Sequence, residues 1–227
     1  MNRSKVGLVG LRVIILVVMM VVALGAGLPN VQAADGPRAN GSVPLSGTLQ
    51  PATISANFRQ SCAIRTDGSL QCWGSSSYGQ STPPAGSFVQ VDSGYDFSCA
   101  IRADGTLACW GDSSYGQATP PSGTFRQVSA GDYHACAVKD DGSLACWGAG
   151  GPGMSGFPHY GQATPPAGSF LQVTTLAYDT CGLRADGTVT CWGAGGPIVP
   201  PTGLFRQISG DSYRRCGVKT DGRLNCW

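Results

Sequence analysis

Cys62-Ala-Ile-Arg-Thr-Asp-Gly-Ser-Leu-Gln-Cys72-Trp73 decides the fold, because close variants of it recur four more times along the 227 residues. The first cysteine of each copy is Cys62, Cys99, Cys136, Cys181 or Cys216, in steps of 37, 37, 45 and 35 residues. The second always follows ten residues later, at Cys72, Cys109, Cys146, Cys191 and Cys226. A tryptophan stands behind each: Trp73, Trp110, Trp147, Trp192 and Trp227. Such regular self-similarity marks a repeat architecture. Asp-Gly between two short apolar runs is a hairpin signal. With Thr66-Asp67-Gly68 as a three-residue loop, Ile64 faces Leu70 and Cys62 faces Cys72 at a non-hydrogen-bonded pair, where side chains approach most closely. The spacing therefore predicts five disulfides inside units: Cys62–Cys72, Cys99–Cys109, Cys136–Cys146, Cys181–Cys191 and Cys216–Cys226. Each closes a loop of about eleven residues and contributes on the order of 2.8 kcal/mol through chain entropy.

On this hairpin Cys62, Ile64, Leu70 and Cys72 point one way, and Ala63, Arg65, Ser69, Gln71 and Trp73 the other. The residue after the first cysteine is always small (Ala63, Ala100, Ala137, Gly182, Gly217). A small residue beside a large tryptophan suits sheets that interdigitate face to face, so the tryptophans read as core between sheets. A further strand precedes four of the hairpins: Phe88-Val-Gln-Val, Phe125-Arg-Gln-Val, Phe170-Leu-Gln-Val and Phe205-Arg-Gln-Ile. In the first unit Ile54-Ser-Ala keeps that register, with Pro51 at the Phe position. Tyr-Gly-Gln follows three hairpins, at Tyr78, Tyr115 and Tyr160, and leads into Thr-Pro-Pro stretches suited to an edge or loop. Small sheets of three or four strands in tandem predict an all-β fold, a β-propeller of about five disulfide-stapled units.

Composition agrees. Gly and Pro, 34 and 15 residues, make up about a fifth of the chain, and every acid is an Asp. The lack of Glu and of other good helix formers disfavours a helical bundle. The apolar run Val13–Leu24 behind Arg3, Lys5 and Arg12, with Val31-Gln-Ala33 ahead of Ala34, predicts an export signal over residues 1–33. Residues 34–50 are then a linker and 51–227 the repeat domain. Pro44-Leu-Ser-Gly-Thr-Leu49 mirrors Pro120-Pro-Ser-Gly-Thr-Phe125, which suggests a ring-closing strand within the linker. Loss of Arg3, Lys5 and Arg12 turns the formal charge of +2 slightly negative. With no basic cluster larger than Arg214-Arg215, nucleic acid is not an expected partner, nor is a membrane after cleavage. An oxidising compartment fits the cysteines, which lack the Cys-x-x-Cys spacing of zinc sites.

These residues resemble the regulator of chromosome condensation repeat family. Gly131-Asp-Tyr-His134, Ala137-Val138, Asp141-Gly142, Trp147-Gly148 and Gly161-Gln162 carry the signature, and the resemblance runs from about Ile54 to Trp227. It is similar to exported bacterial members such as the propeller-type β-lactamase inhibitor proteins. The resemblance implies a propeller that binds a protein through loops on one face. The family histidine occurs only as His134, with Gln60, Phe97, Asp179 and Arg214 at the equivalent places.

The turns before the first cysteines share one rim, opposite the Asp-Gly turns, and there the units diverge. Phe58, Arg59, Tyr95, Phe97, Tyr133, His134, Tyr178, Tyr213 and Arg214 are the candidate partner-binding residues, of types that dominate protein–protein hot spots. The longer third unit adds Ala149–His159 at the same rim. No catalytic residue, metal or cofactor is expected. Only His134 and His159 offer imidazole bases, no Gly-x-Ser-x-Gly elbow occurs, and Gly151–Gly156 matches a dinucleotide motif without a strand–helix unit around it. Asp140-Asp-Gly142 is turn chemistry. The reading is an exported, non-enzymatic module for a protein partner, with inhibition of a secreted or envelope enzyme as one form. The alternatives are a glycan-binding propeller and, less favoured, a guanine nucleotide exchange factor.

Overall fold

The computed structural model describes residues 54–194, 199–212 and 214–227. The predicted signal, the linker with Pro44–Leu49, and Tyr213 lie outside them. Among the described residues, fifteen strands form five separate three-stranded antiparallel sheets, each a blade. Blade 1 is β1 (Ile54–Asn57), β2 (Gln60–Ile64) and β3 (Leu70–Gly74); blade 2 is β4 (Phe88–Ser93), β5 (Phe97–Arg102) and β6 (Leu107–Gly111). Blade 3 is β7 (Phe125–Ala130), β8 (His134–Lys139) and β9 (Leu144–Gly148); blade 4 is β10 (Phe170–Thr175), β11 (Asp179–Arg184) and β12 (Val189–Gly193). Blade 5 is β13 (Phe205–Gly210), β14 (Arg215–Lys219) and β15 (Leu224–Cys226). The all-β propeller read from the repeats is the fold.

The hairpin register is the expected one. Ile64 pairs with Leu70 and Cys62 with Cys72, Arg65 N donates to Ser69 O at 2.8 Å, and Gly68 takes φ +83°, where a side chain would be strained. Asp67 accepts from Ser69 N and Oγ, which fixes the turn. All five ten-residue disulfides form, with Cα–Cα distances of 4.0 to 4.1 Å.

Blades are held by their seams. The cysteine face of one blade packs on the tryptophan face of the next: Cys62, Ile64 and Leu70 meet Phe88, Val91 and Trp110, and Phe97, Cys99 and Ile101 meet Phe125, Val128 and Trp147. Cys136 and Val138 meet Val173 and Trp192, and Cys181 and Leu183 meet Phe205, Ile208 and Trp227. Each tryptophan also needs an acceptor for its indole N–H once buried. Trp110, Trp147 and Trp192 donate to the carbonyls of Gln80, Gln117 and Gln162 in the preceding blade.

The innermost strands are clasped by glutamine. The Gln90 amide gives and takes one hydrogen bond with Val128 O and N, both at 2.9 Å. Gln127 does the same with Val173, and Gln172 with Ile208. A primary amide thus copies a peptide group and joins strand edges too far apart to pair directly. Asp92 adds a second clasp, accepting from Ala130 N and Ser55 Oγ. Burial raises its carboxyl above the usual carboxylate range, against the pull of these hydrogen bonds.

Gln127→Leu deletes one clasp and leaves Val173 N and O without their partner. It should destabilise by about 2–4 kcal/mol, from two hydrogen bonds and an unpaired backbone pair, read by denaturant unfolding of the oxidised chain.

Candidate functional site

The end of each blade opposite the Asp-Gly turns is built by two crossing segments. A tight turn joins the first strand to the second, closed by Gly94 N to Phe97 O, Gly131 N to His134 O and Leu176 N to Asp179 O. The segment leaving the third strand runs against that turn, through Asp112 N to Asp96 O, Ala149 N to Tyr133 O and Ala194 N to Tyr178 O. Gly111, Gly148 and Gly193 allow the contact: each has positive φ, and a Cβ there would run into the turn's backbone. The crossing sets turn residues beside the tyrosine of the exit segment. The buried glutamine of Tyr-Gly-Gln fixes that tyrosine, since Gln117 Oε1 accepts from Tyr115 N at 2.9 Å and Gln162 Oε1 from Tyr160 N at 2.7 Å.

Two aromatic groups result. In the first, the rings of Phe58 and Tyr95 stack 5.7 Å apart. The Arg59 guanidinium lies 5.0 Å from the centre of the Tyr95 ring and 3.8 Å from the Asp96 carboxylate. In the second, Tyr133 and Tyr178 stack at 5.6 Å, Tyr115 meets Tyr133 edge-on at 5.8 Å, and Tyr160 meets Tyr178 at 5.6 Å. Phe157, from the extra residues of the third unit, rests on both Tyr133 and Tyr178.

That extra loop is anchored rather than loose. Gly150 N donates to His159 Nδ1 at 2.9 Å, Gln162 Nε2 donates to Pro158 O, and Pro158 is buried. Phe157 nevertheless stays 66% exposed and Phe58 77% exposed. The phenol of Tyr133 is pushed up to about 12, first by burial and then by the Tyr178 hydroxyl. The Tyr133 ring is a neutral hydrogen-bonding group at physiological pH.

Of the residues expected at the rim, Phe58, Arg59 and Tyr95 come together, as do Tyr133 and Tyr178. Arg214 is exposed on blade 5, and Tyr213 lies outside the described residues. Phe97 and His134 are fully enclosed and serve the seams instead. The residue two before the first cysteine meets, across the seam, the residue one before it in the next blade. Gln60 Nε2 reaches Ser98 Oγ at 2.9 Å, Phe97 shares a core with Ala135, and Asp179 pairs with Arg215. His134 Nε2 contacts Thr180 Oγ1 at 2.7 Å, and the Thr180 hydroxyl donates to Gln162 O. His134 is therefore the Nε2–H tautomer, and its Nδ1 is buried without a partner. Sequence reasoning missed Tyr115, Phe157 and Tyr160. Their signal was present in the repeated Tyr-Gly-Gln and in the longer third unit.

Among the described residues no cluster of three or more His, Cys or Asp side chains is placed to hold a metal. The rim offers exposed ring faces, phenol hydroxyls and the Arg59 guanidinium, groups that suit binding by contact.

Comparison with known proteins bears on the fold. Residues 52–80, 88–117 and 125–151 match the Regulator of chromosome condensation (RCC1) repeat. The ectodomain of the Physcomitrella patens receptor kinase CR4 is similar at 27% identity and a TM-score of 0.62, over 77% of this chain and 49% of that one. The CRINKLY WD40 ectodomain of the Arabidopsis thaliana receptor kinase ACR4 is similar at 24% identity and 0.61, over 77% and 62%. Prp20p from Saccharomyces cerevisiae shares the fold at 13% identity and 0.61, over 76% and 56%. The match thus covers about half to three fifths of these longer chains. No curated protein matches this one.

Burial holds His134 near 3, below the usual 6.5 of imidazole. Between those values the unfolded chain takes up a proton that the folded chain refuses. The contribution is whole above pH 6.5 and drains as pH falls toward 3. His134→Gln, which places the Gln60 solution in this seam, should flatten the loss of stability between pH 6.5 and 4 relative to the unaltered chain, measured as urea midpoints.

Proposed function

We propose, from the premise that this chain carries regulator of chromosome condensation repeats, that it is a non-catalytic protein-binding module whose aromatic rim holds the partner. The observation that carries this reading is the connected set of rings around Tyr133, Tyr178 and Phe157. Large apolar groups on a rigid frame cost little entropy to immobilise on binding. Half-enclosed tyrosines ringed by exposed contacts have the makeup of an interface hot spot. Phe157 touches Tyr133 and Tyr178 and still keeps 66% exposure. The extra residues of the third unit are tied down so as to present it.

Propellers of this fold do capture proteins: Prp20p has binding properties toward Gsp1p and histones. Neither partner carries over. Five disulfides fit an oxidising space, which supports a module that acts outside the cytoplasm, secreted or in the cell envelope. Its partner is a protein of that compartment, an enzyme held in check being one form. The same compartment disfavours nucleotide exchange on an intracellular GTPase. Exposed rings also stack on sugars, and a glycan reading would need binding that survives when the protein partner is absent.

Phe157→Ala and Arg59→Ala, both at exposed side chains, test the face. Capture of the partner from the native secretome should fall at least tenfold for Phe157→Ala, with unfolding unchanged. Equal capture by both variants and the unaltered chain would exclude the rim, and retention on a glycan array without protein capture would favour the alternative.

A further inference from the structure

The rim already shows, within the chain, how it holds a guanidinium. Arg59 lies 5.0 Å from the centre of the Tyr95 ring and 5.9 Å from that of Phe58, with its Nη1 3.8 Å from Asp96 Oδ1. Two stacked rings and one carboxylate thus answer one flat cation, by ring quadrupole and by charge.

The second aromatic group has the same parts, and among the described residues no base fills them. Tyr133 and Tyr178 stack as Phe58 and Tyr95 do. The Asp132 carboxylate and the hydroxyls of Tyr95 and Tyr178 all act on the Tyr133 phenol, so these groups converge. Asp132 is fixed where the rim turns of three blades meet. Its N donates to Leu176 O at 3.3 Å, and its Oδ1 accepts from Ser212 Oγ at 3.0 Å. Burial raises its carboxyl above the usual carboxylate range, opposed by that serine bond. By contrast Asp96 has Arg59, Asp179 has Arg215, and Asp112 accepts from Ser114 and Gln117. Arg214, exposed on blade 5, is not among the groups that act on Asp132.

We infer that the rim recognises its partner through an arginine, whose guanidinium bonds the Asp132 carboxylate and lies against the rings of Tyr133, Tyr178 and Phe157. This rests on the reading of the rim as a binding face and names what that face selects. Charge complementarity decides the occupant. Asp96, Asp112 and Asp132 make this part of the rim acidic, and the charge of Arg59 is already answered. A partner carboxylate would set like charge against Asp132. The planar fork of arginine can bond a carboxylate and cover a ring at once, which the compact ammonium of lysine does not do.

A random heptapeptide display library panned on the purified, disulfide-bonded chain tests this, with the Phe157→Ala chain as counter-selection so that rim binders are kept. The enriched peptides should share an arginine. A synthetic peptide of the leading sequence should lose about tenfold or more in affinity when citrulline, its neutral isostere, replaces that arginine. Asp132→Asn, which keeps an acceptor for Ser212, should cost as much, and the two changes together little more than either alone, because both break one contact. The citrulline peptide leaves the protein unaltered, so the result does not depend on how the variant folds. Phe157-dependent peptides that lack arginine, or that bind equally well with citrulline, overturn the inference and leave the rim reading standing; so do losses that simply add. A library that yields no Phe157-dependent peptide overturns both.

Discussion

No blade of this protein buries its own core; each needs its neighbour. A three-stranded sheet of about fifteen residues has two faces, one lined by a disulfide and small aliphatics, the other by a tryptophan and a phenylalanine. Both become dry only at a seam. The bridge staples the hairpin against fraying, and the glutamine clasp fixes how far one blade sits from the next. Stability is then close to a sum of units and nearest-neighbour contacts, as in other repeat proteins.

The division between scaffold and rim follows from the alternation of side chains in a strand. Immediately before the middle strand the chain makes a tight turn whose residues face solvent, and one step later the side chains point into the seam. Tyr133 and His134 are neighbours in sequence, yet one presents a phenol to the rim and the other is sealed against Thr180. Binding chemistry can therefore change from blade to blade without disturbing the seam below it. The anchored loop carrying Phe157 shows the same economy: its ends are hydrogen-bonded to the scaffold while its ring lies open.

The hairpins, the five bridges and the tryptophan core were legible in the sequence because they are local. Asp-Gly and a ten-residue cysteine spacing fix the register without reference to anything distant. The seam pairs were not legible, because their members stand 36 to 46 residues apart. Divergence at Phe97 and His134 reads in the sequence as the signature of a partner, whereas these positions, like Gln60 and Asp179, change together with the residue each meets across the seam: Ala135, Thr180, Ser98 and Arg215. Matched variation across a seam and free variation on a rim look alike in one unit and differ only when units are read in pairs. The repeated Gln of Phe-x-Gln-Val was in view as well. A polar residue kept on a strand that faces a neighbouring strand edge has a peptide group to satisfy, and that reasoning would have found the clasp.

Amide hydrogen exchange across the five middle strands tests the claim that seams, rather than blades, hold the molecule together. Among the described residues β5, β8 and β11 have seams on both sides and should exchange slowest, while β2 and β14, each with one described seam, exchange markedly faster. Equal protection in all five strands would contradict the account, since it would mean that each stapled blade is stable without its neighbours.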